Sequence, residues 1–266
     1  MPKLRILSWN INSVRLRIDS LRRLVRKLEP DVVCLQEIKV QTNLFPRQAL
    51  ERMGFCGGAI VGQKGYHGVA TFCREPLDDH WSKAIGRSKD ARHVAVTVQG
   101  VEIHNIYLPA GGDLPDPERN PAFKAKLEFM RALARWTKKW PARATARRVL
   151  VGDLNVAPLE TDVWSHQKLK RVVTHTPVEV AHLETMQRAH RWVDVARTVV
   201  PPDQPLYTWW SYRSPDWRRQ NKGRRLDHIW VSPALSESIV DFSVARDVRG
   251  WKRPSDHAPV LATLQL

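Results

Sequence analysis

Six places in this chain put acidic, amide or phenolic side chains at the ends of apolar runs. Asn10 closes LRILSWN, Glu37 closes DVVCLQE, and Tyr107 lies near the end of VEIHNIYL. Asp153 and Asn155 close VLVGDLN, Asp227 opens DHIWVS, and Asp256–His257 stands just before the last apolar run, APVLATLQL. One carboxylate at a strand end is ordinarily a solvated turn or a cap. Repetition of one chemical character at so many ends weakens that reading, because strand ends gathered on one sheet edge would form a cleft. Such a cleft would hold carboxylates, amides and one imidazole, with no cysteine. Oxygen donors of this kind suit Mg²⁺, with Mn²⁺ as a substitute, rather than Zn²⁺. A hard cation beside a histidine suits phosphodiester hydrolysis, with water prepared for in-line attack by a carboxylate or by the imidazole.

The stretch SDHAPV constrains the geometry of the last pair. Pro254 and Pro259 bracket it and disfavour a helix. Adjacent side chains in a regular strand face opposite ways, so Asp256 and His257 can serve one site only from an irregular entry into a strand.

The elements that would carry these residues follow from periodicity. Residues 4–9 and 31–37 read as buried strands, separated by a helix capped at Asp19 or Ser20 with Leu21, Leu24, Val25 and Leu28 on one face. Residues 68–74 form another strand, and 93–99 and 101–108 a hairpin about Gly100. A long helix is expected from Pro121 to Trp140, a strand at 149–155, a helix at 179–191 and a strand at 226–232. Strands and helices mix throughout without a linker or composition break, so the reading is one α/β domain over residues 1–266 with two packed mixed sheets.

Composition narrows the partners. With 43 Lys+Arg against 27 Asp+Glu the net charge is +16, which favours a polyanion such as nucleic acid. No apolar run approaches a membrane span, and the N-terminus lacks the pattern of a signal peptide. Cys34, Cys56 and Cys73 are odd in number and read as reduced thiols, so a cytoplasmic, DNA-associated setting is expected. WWSYRSPDWRRQNKGRR, residues 209–225, interleaves three tryptophans with arginines and lysines. Flat rings beside guanidinium groups suit insertion next to an unstacked base while the cations hold phosphates. For Trp136 and Trp140, on the expected helix, core packing is the better reading.

LSWNINSVR, PDVVCLQEIK, IYLP, GDLNVAP, RLDHIWVS and SDHAPV occur in this order, with GQKGYHGVA at 62–70 and TWWSYR at 208–213. This set resembles the exonuclease III family of abasic-site endonucleases, within the endonuclease/exonuclease/phosphatase superfamily. The resemblance implies a deoxyribonuclease I-like four-layer α/β sandwich, two mixed β-sheets face to face flanked by helices. It implies that Asn10, Glu37 and Asp256 hold Mg²⁺, that Tyr107 contacts the scissile phosphate, and that Asp153 and Asn155 serve the attacking water and the phosphate. Asp227 would orient His257. Whether Asp153 or His257 is the general base stays open, as does one metal ion or two. Gln63, Lys64, Gly65 and Tyr66 would grip DNA, Arg92 would reach a phosphate, and Trp209 with Trp210 would wall a pocket for a base-free sugar. Arg218, Arg219, Arg224 and Arg225 would bind the backbone. The expected substrate is duplex DNA with abasic sites or 3′ ends, cut by a monomer with no membrane role. Ala110 and His228 depart from the family pattern. The rival readings are a phosphodiesterase or phosphatase of the same fold acting on a non-DNA phosphoester, and a catalytically silent DNA-binding module.

Overall fold

The computed structural model describes residues 3–141, 145–214 and 216–266. Along the chain come β1 (Lys3–Asn10), α1 (Val14–Leu28), β2 (Val32–Gln36), α2 (Arg47–Glu51), β3 (Gly57–Val61) and β4 (Val69–Cys73). Next are β5 (Asp79–Trp81), β6 (His93–Val98), β7 (Val101–Tyr107), α3 (Pro121–Lys138) and β8 (Arg148–Asp153). Then follow α4 (His166–Leu169), α5 (Pro177–Ala189), β9 (Val193–Asp194), α6 (Val195–Val199) and β10 (Trp209–Trp210). The chain finishes with α7 (Trp217–Gln220), β11 (Gly223–Arg224), β12 (Asp227–Val231), β13 (Ile239–Val244) and β14 (Val260–Gln265).

Two six-stranded mixed sheets result, in the orders β13-β14-β1-β2-β4-β3 and β5-β6-β7-β8-β12-β9. In the first, β1 runs parallel to β2 and antiparallel to β14; in the second, β7 is parallel to β8, and β8 antiparallel to β12. Alternation of side chains sorts the apolar residues into layers. Ile6, Val32, Cys34, Val96, Ile103, Val149, Val151 and Ile229 fill the space between the sheets. Leu7, Trp9, Val33 and Leu35 face outward onto α1 through Leu21 and Leu24. Ile106, Leu150 and Trp230 face outward onto Phe123, Leu127 and Met130 of α3 and Leu183 of α5. The layers are therefore helix, sheet, sheet, helix, the expected sandwich.

Several boundaries differ from the expected ones. Helix α1 begins at Val14, not near Asp19, and is kinked at Arg17 (φ −121°, ψ 18°). The Arg17 guanidinium donates to the carbonyls of Ile11, Asn12, Arg253 and Pro254. These bonds fix the early start; Ser13 stands at the N-cap without a side-chain capping bond, and Asp19 pairs with Arg22 at 2.5 Å. Helix α3 stops at Lys138, so Trp140 lies beyond it. Trp136 and Trp140 do pack internally, their ring centroids 4.9 Å apart and Trp140 stacked on His104 at 4.4 Å. Cys34 and Cys73 are buried and Cys56 is exposed, all three free. Among the described residues no helix is long and apolar enough to cross a membrane.

Candidate active site

Loops at the ends of the central strands build one cavity of about 620 Å³, lined by Glu37, Tyr107, Asp153, Asn155, Trp209, Arg224, Asp256 and His257 among others. Pairing aligns its walls. Tyr107 on β7 is level with Asp153 on β8, which is level with Asp227 on β12. Asn10, the last residue of β1, is level with Gln36, one residue before Glu37. At the GDLN turn only glycine fits position 152, because an added Cβ would lie 1.9 Å from the Ile106 carbonyl oxygen. Glu37 (φ 47°) and Asn155 (φ 51°) both adopt left-handed backbone, a strained choice for non-glycine residues that recurs at functional sites.

His257 is the centre of the polar network. Its Nδ1 donates to Asp227 Oδ2 at 2.9 Å, and its Nε2 lies 3.7 Å from Asp153 Oδ2. The Asp227 carboxylate is itself held by the Thr208 hydroxyl at 2.6 Å. This arrangement fixes the orientation of the ring and leaves Nε2 facing Asp153. Asp153 accepts from Asn10 Nδ2 (2.9 Å), Asn155 Nδ2 (3.1 Å) and the Asn155 amide (3.0 Å). Burial pushes the Asp153 carboxyl upward, the nearby Asp227 charge adds to this, and His257 and Asn10 oppose it. Burial alone would lower His257, but Asp227 and Asp153 outweigh it and raise the imidazole well above its usual range.

Glu37 forms a second node. Its Oε1 accepts from Asn10 Nδ2 (2.9 Å) and the Tyr107 hydroxyl (2.8 Å), while Lys39 Nζ sits 2.8 Å from Oε2. Burial would raise this carboxyl, yet these donors hold it below its ordinary value. Burial and the Glu37 charge both raise Tyr107, so its phenol stays protonated. Lys39 also donates to Asn12 Oδ1 (2.6 Å), and Asn12 Nδ2 donates to Asp256 Oδ1 (3.1 Å). Asp256 is depressed against the effect of burial by His257, the Trp209 indole and Asn12.

The donor set fits a hard divalent cation. An ammonium rests on Glu37, bridged through Asn12 to Asp256, which marks this side as a place where the local charge calls for a cation. The ligand atoms of Asp153, Asp227 and His257 also lie within 4.8 Å of one another. Asp227 Oδ2 is taken by His257 Nδ1 and the Thr208 hydroxyl, whereas Asp227 Oδ1 is buried without a hydrogen-bond partner.

The remaining sequence-selected residues divide. Trp209 lines the cavity, its indole Nε1 donating to Asp256 Oδ2 at 2.9 Å and the Arg224 guanidinium lying 5.3 Å over its ring. Arg92 lines an adjoining cavity of about 470 Å³ that shares Tyr107, and braces that ring from 5.0 Å. Lys64, Gly65 and Tyr66 are exposed outside the cavity, and Gln63 pins their loop by accepting from the Ala91 amide at 3.1 Å. Arg218 and Arg219 are exposed on α7, with Arg219 paired to Asp216. Two assignments need correction. Trp210 is 1% exposed, with its indole donating to Asn221 Oδ1, and so is core rather than pocket wall. Arg225 is 0% exposed and bridges Asp162 and Asp194, so no phosphate can reach it. His228 is buried with Nε2 on the Val156 carbonyl, a packing role. Sequence reasoning passed over Asn12, Lys39 and Thr208. Their nearness to Asn10, Glu37 and Trp209, inside LSWNINSVR, PDVVCLQEIK and TWWSYR, was the available signal.

A family model for the endonuclease/exonuclease/phosphatase family matches residues 7–257. The chain belongs to this family. It is 30% identical over 276 residues to an exodeoxyribonuclease III of Haemophilus influenzae, covering 97% of this chain and 99% of that protein. A 3′-phosphatase variant from Neisseria, solved with a product DNA hairpin, superimposes with TM-score 0.90 at 32% identity over 99% of this chain and all of that one. An AP endonuclease from Archaeoglobus fulgidus does so with TM-score 0.90 at 29% identity, again over 99% and 100% of the two chains. Within the family the chain groups with the exonuclease III and AP endonuclease members, and it is a nuclease.

Proposed function

We propose that the protein is a DNA-repair nuclease that uses Mg²⁺ to cut the phosphodiester 5′ to abasic sites in duplex DNA and also processes 3′ ends, as a single-domain monomer inside the cell. The observation that carries this reading is the position of His257, between Asp227 and Asp153, in a cavity that also holds Glu37 and is walled by Trp209 and Arg224. Asn10, Glu37 and Asp256 would hold the ion. When bound it would neutralise charge on the phosphate oxygens.

The chain's own groups supply the rest. Asp153, its carboxyl raised by burial, takes a proton from the attacking water. His257, kept protonated by its two carboxylate neighbours, donates from Nε2 to a phosphate oxygen. The Tyr107 phenol and the Asn155 amide orient the phosphate. Trp209 and the stacked Arg224 form a wall suited to a sugar without a base, and the net charge of +16 favours the polyanion.

The test is a duplex with one synthetic abasic site, incubated with Mg²⁺ or EDTA, the products of both strands being sized. One nick 5′ to the lesion, abolished by EDTA, is expected, together with release of phosphate from a 3′-phosphate end. Cleavage that survives EDTA, or an intact lesion strand, overturns the proposal.

A further inference from the structure

Behind the cavity lies a fully buried ion pair that no step above uses. Lys126, midway along α3, and Glu179, in the first turn of α5, are bonded to each other with no exposed side-chain surface. Such a pair is a weak source of stability, because desolvating two charges offsets their attraction. Its other hydrogen bonds lead to the site. Lys126 Nζ donates to the backbone oxygens of Asn155 (2.7 Å) and Ala110 (3.3 Å). Glu179 accepts from the amides of Thr174 (3.0 Å) and Thr176 (3.1 Å) and from the Thr176 hydroxyl (2.7 Å). Ala110, Asn155 and Thr174 all line the cavity, on three separate loops.

One of those loops carries, and a second holds, a group the chemistry needs. The left-handed backbone of Asn155 aims its amide at Asp153 Oδ2, and Lys126 grips the carbonyl of that same residue. Thr174 Oγ1 accepts from Arg224 Nη1 at 2.7 Å, which sets the guanidinium over Trp209. The chain of contacts therefore runs from Glu179 through Thr174 and Arg224 to the pocket wall.

We propose that Lys126 and Glu179 are positioning residues for the reaction: they hold Asn155 and the Arg224–Trp209 wall in register with Asp153 and His257. The inference rests on the function proposed above, since it assigns the pair a part in that site's turnover. Neutralising a merely structural pair would change stability but not separate rate from affinity.

The variant is Lys126→Met combined with Glu179→Gln, which removes both charges and keeps an acceptor for Thr174 and Thr176. Three quantities are compared with wild type: single-turnover incision of the abasic duplex, duplex affinity in EDTA, and hydrogen exchange of residues 155–157 and 173–176. The rate should fall about tenfold or more through misplacement of the reacting groups. Affinity should hardly change, and the two loops should lose protection while β7 and β8 keep theirs. A wild-type rate with protected loops overturns the proposal, as does a fall in rate and affinity in step with reduced stability. If the double variant does not fold, Glu179→Gln alone is judged by the same criteria. A wild-type protein that fails to incise sinks the functional reading instead, while the exchange comparison still decides whether the pair holds these loops.

Discussion

Charge at the single residue is set here by neighbours. His257 is buried, which by itself favours the neutral ring, but two carboxylates face its two nitrogens and reverse the preference. Asp227→Asn should therefore lower the turnover rate with little effect on duplex affinity, because it removes the acceptor that fixes Nδ1. A pH–rate profile read alongside should move, since one charge holding the imidazolium is gone; an unmoved profile would argue against the assigned role. Glu37→Gln should remove most cleavage and spare DNA binding, which comes from distributed cations. A near-normal rate at limiting Mg²⁺ would show that the metal position is wrong. The residues with side-chain chemistry were legible because their types are distinctive at strand ends. Asn12 and Thr208 were not, since their work is to donate hydrogen bonds to other side chains, and common polar residues near a turn do that everywhere.

At the scale of elements, the segment at 209–225 reads as one basic, aromatic loop, and folding sorts it into two populations. Arg218 and Arg219 stay exposed, Arg224 lies over Trp209, and Arg225 is sunk between Asp162 and Asp194. Adjacent residues on β11 and beyond must face opposite ways, yet sequence alone does not say which arginine meets the acids, because Asp162 and Asp194 are distant in the chain. Arg225→Ala should cost about 3–5 kcal/mol, the effect of breaking a buried ion pair, since Asp194 loses its guanidinium while Asp162 keeps Arg197. Alanine at Arg218 and Arg219 should leave stability alone and flatten the salt dependence of DNA binding, by about 0.9 in log–log slope for each phosphate no longer neutralised. Denaturant melts and salt titrations of the two variants separate these outcomes, and a reversed pattern would mean the burial assignment has no energetic meaning. The early start of α1 was hidden for the same reason as the Arg225 bridge: the Arg17 bonds that set it reach to Arg253 and Pro254.

At the scale of the whole molecule, the sandwich was legible because alternating apolar runs and amphipathic helices must bury their faces somewhere, and two sheets between helix layers do this without leaving either sheet bare. The short strands β5, β9, β10, β11 and β13 were not legible, as two- to six-residue pairings depend on partners rather than on pattern. Burial on this scale also traps histidines that the chemistry does not use. His93, flanked by His104, and His228, near Arg225, are both driven by burial down to about 3 from the usual 6.5. A base with a lowered folded pKa is neutral when native, while the unfolded chain takes up the proton below about 6.5. The stability each contributes is therefore full above that pH and is lost as pH falls toward about 3, at about 1.4 kcal/mol for each pH unit. His257 works in the opposite direction: its raised pKa adds stability below its unfolded value that is lost as pH rises toward the alkaline range. The contribution of the buried pair is isolated by comparing wild type with the double variant His93→Gln, His228→Gln, which keeps polar atoms for the Lys83 amide and the Val156 carbonyl. Denaturant unfolding at pH 8, 6, 5 and 4 should show wild type ahead at the highest pH, with the gap narrowing steadily below about 6.5. A gap independent of pH would mean that these histidines accept protons in the folded protein as readily as in the unfolded chain.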